Sequence, residues 1–117
     1  VYSTYIGGTK KLGDGADIGY GIAVDPQGNA YVAGRAGGSD LKLVIPVQDI
    51  YGGGDADAFV AKYGTLGQLD FCTFLGGGPY NYNGNTDYGA GLDAAYGIAV
   101  DPAGMIYVTG CTSSRNF

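Results

Sequence analysis

The chain has 117 residues, a net charge of −5 and a pI near 4.2, the size of one ordinary domain or of a piece of a larger one. That acidity excludes the basic stripe a nucleic-acid partner requires and an electrostatic hold on anionic lipid, and no apolar run approaches the roughly 20 residues of a membrane span. His and Trp are absent, all eleven acids are Asp, and Gly (24) and Tyr (11) are abundant, a composition that depletes helix and favours strands joined by tight turns.

In chain order, Tyr2–Gly8 (YSTYIGG) reads as a strand. Gly21–Asp25 (GIAVD) is the next, followed by an Asp25-Pro26-Gln27-Gly28 turn in which Pro fixes φ and Gly is free to take φ > 0. Asn29–Gly34 (NAYVAG) returns from it, and Arg35–Val44 is less regular. Asp57–Tyr63 (DAFVAKY), a turn over Gly64–Gln68 and the return Leu69–Gly77 (LDFCTFLGG) form a second hairpin. Residues 78–95 carry an Asn/Gly/Tyr-rich insertion (PYNYNGNTDYGAG), a composition that belongs on a loop. Then Tyr96–Gly110 (YGIAVDPAGMIYVTG) repeats Tyr20–Gly34 (YGIAVDPQGNAYVAG) at an offset of 76, with eleven of fifteen positions identical. The opening strand matches Phe71–Gly77 (FCTFLGG) at an offset of 69.

Naming the four strands of a unit A to D, the chain runs D, A, B, C, D, A, B. Short strands in repeated fours are the signature of a β-propeller blade. The side-chain pattern agrees, because GIAV and AYVAG lack the polar face of a half-buried strand, as expected for a sheet covered on both sides. Small residues alternate with large ones, Gly21, Ala23 and Ala33 against Ile22, Val24 and Val32, so that sheets can approach closely where strand A nears the propeller axis. The expected fold is all-β and propeller-type, with antiparallel four-stranded blades, about one and three-quarter of them here. Residues 1–8 are the last strand of a preceding blade, 20–77 one complete blade and 96–117 the first half of the next.

The set YSTYIGG, YGIAVDPQGNAYVAG, IPVQD and GGGDADAFVAKY, in that order over nearly the whole chain, resembles the bacterial SBBP-type β-propeller repeat. The longer stretch 78–95 and the less regular 35–44 depart from the pattern. The resemblance implies a bacterial or archaeal exported protein and little about mechanism. Two accounts of the incomplete second unit remain open: a segment of a longer chain, the preferred one since seven strands are fewer than two blades and propellers close with about four to eight, or copies that assemble and cover one another's apolar faces and free edges.

Alternating Asn and Asp in the insertion (Asn81, Asn83, Asn85, Asp87) offers oxygens to Ca²⁺, but Thr86 stands where an EF-hand loop wants Gly, and no Glu exists to close the shell. Asp14, Asp17, Asp55 and Asp57 occupy other Asp-rich loops, where Asp is equally a turn residue. The Gly clusters, Gly7-Gly8, Gly52–Gly54 and Gly76–Gly78, precede no helix and read as corners rather than phosphate cradles. Tyr80, Tyr82 and Tyr88 beside Asn make an adaptable contact surface, although Tyr is also an ordinary strand and loop residue. Cys72 and Cys111 fit no metal pattern; a disulfide in an exported chain and two separate thiols both remain open. With no His to serve as base or to activate Ser or Cys, no catalytic residue is assigned.

The expected function is therefore a non-catalytic, extracellular or cell-surface scaffold that presents loops to protein or carbohydrate. No cofactor is required beyond the Ca²⁺ option. Two alternatives stand beside it: a structural subunit of an extracellular filament or sheath, with copies of the chain as partners through strand or blade complementation, and a segment of a propeller lyase or hydrolase.

Overall fold

The structure is a computed structural model that describes residues 1–9, 16–79, 81–82, 85–86 and 91–117, with 81–82 and 85–86 described by their backbone. Among the described residues every regular element is a strand: β1 (Ile18–Val24), β2 (Ala30–Ala36), β3 (Asp57–Tyr63), β4 (Leu69–Leu75), β5 (Asn81–Tyr82), β6 (Asn85–Thr86), β7 (Asp93–Val100) and β8 (Ile106–Thr112). β1 to β4 form one antiparallel four-stranded sheet in sequential order, and β7 and β8 form a separate antiparallel pair. This is the arrangement of a complete blade followed by the first half of another.

The Asp-Pro-x-Gly turns explain why the same hairpin forms twice. The Asp25 carboxylate accepts the Gln27 and Asn29 amides at 3.0 and 2.9 Å through Oδ1. Through Oδ2 it accepts the Asn29 side chain at 2.7 Å and the Tyr31 hydroxyl at 3.0 Å. Asp101 repeats this with the Ala103 and Met105 amides and the Tyr107 hydroxyl. Gly28 and Gly104 take φ of +88° and +83°, which only glycine adopts without strain. Burial alone would raise the Asp25 carboxyl; the hydrogen bonds from Asn29, Tyr31 and Gln27 more than reverse it and hold it below the ordinary value.

The first sheet is covered on both faces. On one side Phe59, Ala61, Tyr63, Cys72 and Phe74 pack with Ala36 and Leu41, beneath Ile6, Leu43 and Tyr51 from the connecting segments. On the other, Ala33, Ala58 and Val60 pack against Ala95, Ile98 and Ile106 of the second hairpin. The strands β1 and β7 meet at Gly21, where an added Cβ would lie 3.3 Å from both Ile98 Cγ2 and the Tyr96 carbonyl; the small residues of the inner strand do admit close approach. The outer edge of β4 is also protected, because Val44 and Cys72 exchange backbone hydrogen bonds at 3.2 and 2.9 Å, and Phe74 donates to the Gln48 carbonyl at 3.3 Å. A covered edge cannot pair with a foreign strand.

Three sequence boundaries move. Tyr2–Gly8, expected as a strand, joins no ladder: a strand requires a hydrogen-bonded neighbour, and the described residues give it none. β7 begins at Asp93, three residues before the repeated phrase and inside the stretch read as insertion. β1 begins at Ile18 rather than Gly21, because its pairing continues to Arg35.

Candidate functional site

The two hairpins share an irregularity that the repeat did not announce. The pairing of β1 with β2 runs Gly19 to Gly34 and then Gly21 to Ala33, leaving Tyr20 as the extra residue of a β-bulge. In β7 and β8 it runs Ala95 to Gly110 and then Gly97 to Thr109, leaving Tyr96 in the same place. The bulge dictates the glycine opposite it. A Cβ at Gly34 would collide with the Ile18 carbonyl, and one at Gly110 with the corresponding Ala94 carbonyl. Bulges re-aim side chains, and these two turn Tyr20 and Tyr96 toward each other. The ring centroids are 4.9 Å apart and the planes cross at 63°, an edge-to-face pair. Both rings stay accessible, at 41% and 50% exposure.

Arg35 and Cys111 are equivalent positions of the two copies, fifteen residues after each tyrosine. The Cys111 thiol donates to the Tyr96 hydroxyl at 3.5 Å. That bond and the charge of Cys111 raise the Tyr96 phenol above its ordinary value, while the nearby Arg35 charge acts in the opposite sense. Arg35 is half-buried on the face of β2 that carries Ala33, the face the second hairpin covers. Its Nε–H is buried without an acceptor among the described residues.

A second polar group lies where the two blades join. Ala56 and Leu92 form a parallel bridge, and Asp93 N–H donates to the Ala56 carbonyl at 2.8 Å. This sets the next residues, Asp57 and Asp93, beside each other, both with no exposed surface. The glycine clusters serve them. Gly52 N–H donates to Asp57 Oδ2 at 2.6 Å, and Gly77 N–H to Asp93 Oδ2 at 2.8 Å, where the Ser114 hydroxyl also donates. Gly8 donates to Asp17 in the same way at 2.8 Å, so this latch from strand D to strand A occurs twice. One amide of each glycine cluster, at Gly8, Gly52 and Gly77, is thus engaged by a carboxylate of the protein itself, and Gly76 and Gly78 donate to the Gln48 and Asn116 side-chain oxygens. Burial pushes the Asp57 carboxyl up to about 6, against the Gly52 hydrogen bond and with help from the charge of Asp93. The Oδ1 atoms of Asp57 and Asp93 have no partner among the described residues.

The residues singled out from sequence fall elsewhere. Tyr80, Tyr88, Asn83 and Asp87 lie outside the described residues, and Asn81, Tyr82 and Asn85 sit on the short hairpin of β5 and β6, described by its backbone alone. Asp17 and Asp57, weighed as Ca²⁺ or turn residues, accept backbone amides instead. Cys72 and Cys111 are separate thiols, the first buried and the second exposed; Cys72 packs with Phe59 and Phe74, and burial pushes it up to about 11. Sequence reasoning passed over Tyr20, Tyr96 and Arg35. The available signal was the invariant glycine fourteen residues after each tyrosine, which the bulge requires.

The fold, a four-stranded antiparallel sheet with a further hairpin docked on one face, is all-β and consistent with a partial β-propeller repeat. The family model for SBBP, the beta-propeller repeat, matches residues 1–42, which include the first copy of the repeated phrase. The second copy carries the same residues beyond the matched span. No curated protein and no solved structure matches the chain significantly.

Proposed function

We propose that this propeller-repeat scaffold is non-catalytic and works outside the cell or on its surface, where it contacts protein or carbohydrate. The observation that carries the reading is the pair of bulges aiming Tyr20 and Tyr96 into one accessible edge-to-face cluster. A bulge sacrifices ladder hydrogen bonds, and repeating that loss at equivalent positions suits a surface kept for contact. Exposed phenols supply large, rigid contact area at low conformational cost. The test is a screen of glycans and proteins with the wild type, a Tyr20→Ala/Tyr96→Ala double variant and a Tyr80→Ala/Tyr82→Ala double variant. Loss of a specific binder in the first variant supports the bulge tyrosines; loss in the second alone moves the contact to the insertion. Turnover of any ligand found would overturn the non-catalytic assignment.

A second reading, a structural subunit that stacks on copies of itself, is favoured by a different observation. Ile98 is half-buried against the first blade, whereas its equivalent Ile22 is 69% exposed on the first blade's own inner strand. The first blade thus leaves free, on the face turned away from the second hairpin, the apolar side chain that a preceding blade from another copy would cover. Sedimentation of the wild type and an Ile22→Asp variant tests this: a concentration-dependent oligomer that the variant abolishes supports stacking, and a monomer at all concentrations removes it.

A further inference from the structure

Burying a guanidinium N–H without an acceptor costs free energy, because the group loses its water and gains no partner. Arg35 carries such a group at the seam between the two hairpins, and among the described residues no carboxylate pairs with it. The two carboxylates where the blades join each take at least one donor. Asp93 takes the Gly77 amide and the Ser114 hydroxyl, and Asp57 the Gly52 amide. Lys62, further along the same face as the cross-strand partner of Tyr31, lies over the Tyr31 ring at 5.4 Å. In a chain of net charge −5, a half-buried cation that pairs with no carboxylate among the described residues is poised for an anion from outside.

The surroundings restrict that anion. Arg35 holds in the first copy the position from which Cys111 reaches the Tyr96 hydroxyl in the second, and Tyr96 meets Tyr20 edge-on at 4.9 Å. The register thus sets one guanidinium at the bulged end of the hairpin that carries Tyr20, whose accessible ring pairs with Tyr96. A planar oxyanion suits the fork of Arg, which pairs with carboxylate in two parallel hydrogen bonds. A pyranose ring suits the aromatic face, through its C–H groups, and its hydroxyls suit the phenols. We propose that Arg35, Tyr20 and Tyr96 form a binding site for an acidic saccharide, with the sugar carboxylate on the Arg35 guanidinium and the sugar ring on the tyrosine pair. The proposal rests on the reading of the bulge tyrosines as a contact surface and adds the ligand's charge.

The test is calorimetric titration of the full chain with a galacturonate oligosaccharide, a neutral galactose oligosaccharide of the same length and an acidic peptide. The expected result is at least about tenfold tighter binding of the galacturonate than of the neutral sugar, a preference that shrinks as salt screens the charge. Arg35→Gln should erase the preference, and Arg35→Lys should restore part of it, with thermal unfolding of each variant confirming an intact fold. Equal affinity for acidic and neutral sugars, no galacturonate binding at millimolar concentration, or an unchanged preference in Arg35→Gln would overturn the proposal. So would an acidic peptide that binds as tightly as the saccharide. The Tyr20→Ala/Tyr96→Ala variant separates the two levels. If it binds both sugars as the wild type does, the contact surface itself is wrong; if it loses both while Arg35→Gln keeps the acid preference, only the role of Arg35 falls.

Discussion

The two hairpins β1–β2 and β7–β8 share a sequence, a turn, a bulge and a register, yet they bury different residues. Tyr31 is 2% exposed and its equivalent Tyr107 is 57% exposed; Ala33 is fully buried and Thr109 is exposed. Ile22 and Ile98 reverse the order. Local geometry is therefore written in the phrase itself, through Asp, Pro and Gly at fixed spacing, while burial is assigned by whichever element lies alongside. In the first copy β3 pairs with the outer strand and the second hairpin covers its face; in the second copy the outer strand β8 is an edge. A hairpin of this kind is a module that contributes apolar surface on both sides and depends on its neighbours to use it.

The largest expected effect breaks the local identity of the two copies. Gly34→Ala would drive a methyl into the Ile18 carbonyl and the Phe59 ring within a packed sheet, and it should lower stability by about 3 kcal/mol. Gly110→Ala meets the same obstacle at the Ala94 carbonyl, but β8 is an edge strand that can shift, so about half that loss is expected. Urea unfolding of the two variants measures both. Equal losses would mean that the edge is as constrained as the interior.

Packing rather than geometry is tested next. Ile98→Ala removes a side chain that packs against Ala33 and Val60 and should cost about 2 kcal/mol, at the low end for a core truncation because Ile98 is only half-buried. Ile22→Ala, the same change in the same phrase, should stay within about 0.5 kcal/mol in a monomer. A third comparison lies in the turns. Asp25→Ala strands two amides, the Asn29 side chain and a buried tyrosine hydroxyl, for about 2 kcal/mol; Asp101→Ala, at the exposed turn, should cost about 1 kcal/mol. Because the Asp25 carboxyl is held below its ordinary value, its contribution is present above the unfolded pKa near 3.8 and is lost as pH falls below it.

These pairs also mark what the sequence could disclose. The Asp-Pro-x-Gly turns and the strand Asp57–Tyr63 were legible to the residue, because turn chemistry and β-propensity act locally. The bulge was not, since Tyr20 reads as an ordinary strand residue until Gly34 is seen to face the Ile18 carbonyl. Nor was the seam: Asp57 and Asp93 look like turn residues, and only the parallel bridge between Ala56 and Leu92 brings them together across 36 positions. The segment Val44–Gln48, read only as a Pro/Gln stretch, caps the edge of β4, a contact between residues more than 25 positions apart. The insertion tyrosines were conspicuous by composition, which says how a loop can bind and nothing about where it lies.

The smallest effect sharpens the comparison at the seam, where the second copy determines the chemistry of the first. Burial raises the Asp57 carboxyl to about 6, with the charge of Asp93 on β7 adding to it. A raised folded pKa means that the fold favours the protonated acid. Its contribution is fully present below the unfolded value near 3.8 and is lost as pH rises through about 6. Asp57→Asn keeps an acceptor for the Gly52 amide and has no charge to lose. It should raise stability at pH 7 by about 1 kcal/mol, a figure already reduced for solvent screening, and should flatten the slope of stability between pH 4 and 6. Thermal unfolding across that range reads both. Since part of the shift comes from Asp93, Ile98→Ala, which loosens the second hairpin, should weaken the same slope without touching either carboxylate. A slope that Asp57→Asn leaves intact would place the titrating group elsewhere, and one that Ile98→Ala leaves intact would mean that the pairing of Ala56 with Leu92 holds the two acids together without help from the apolar face.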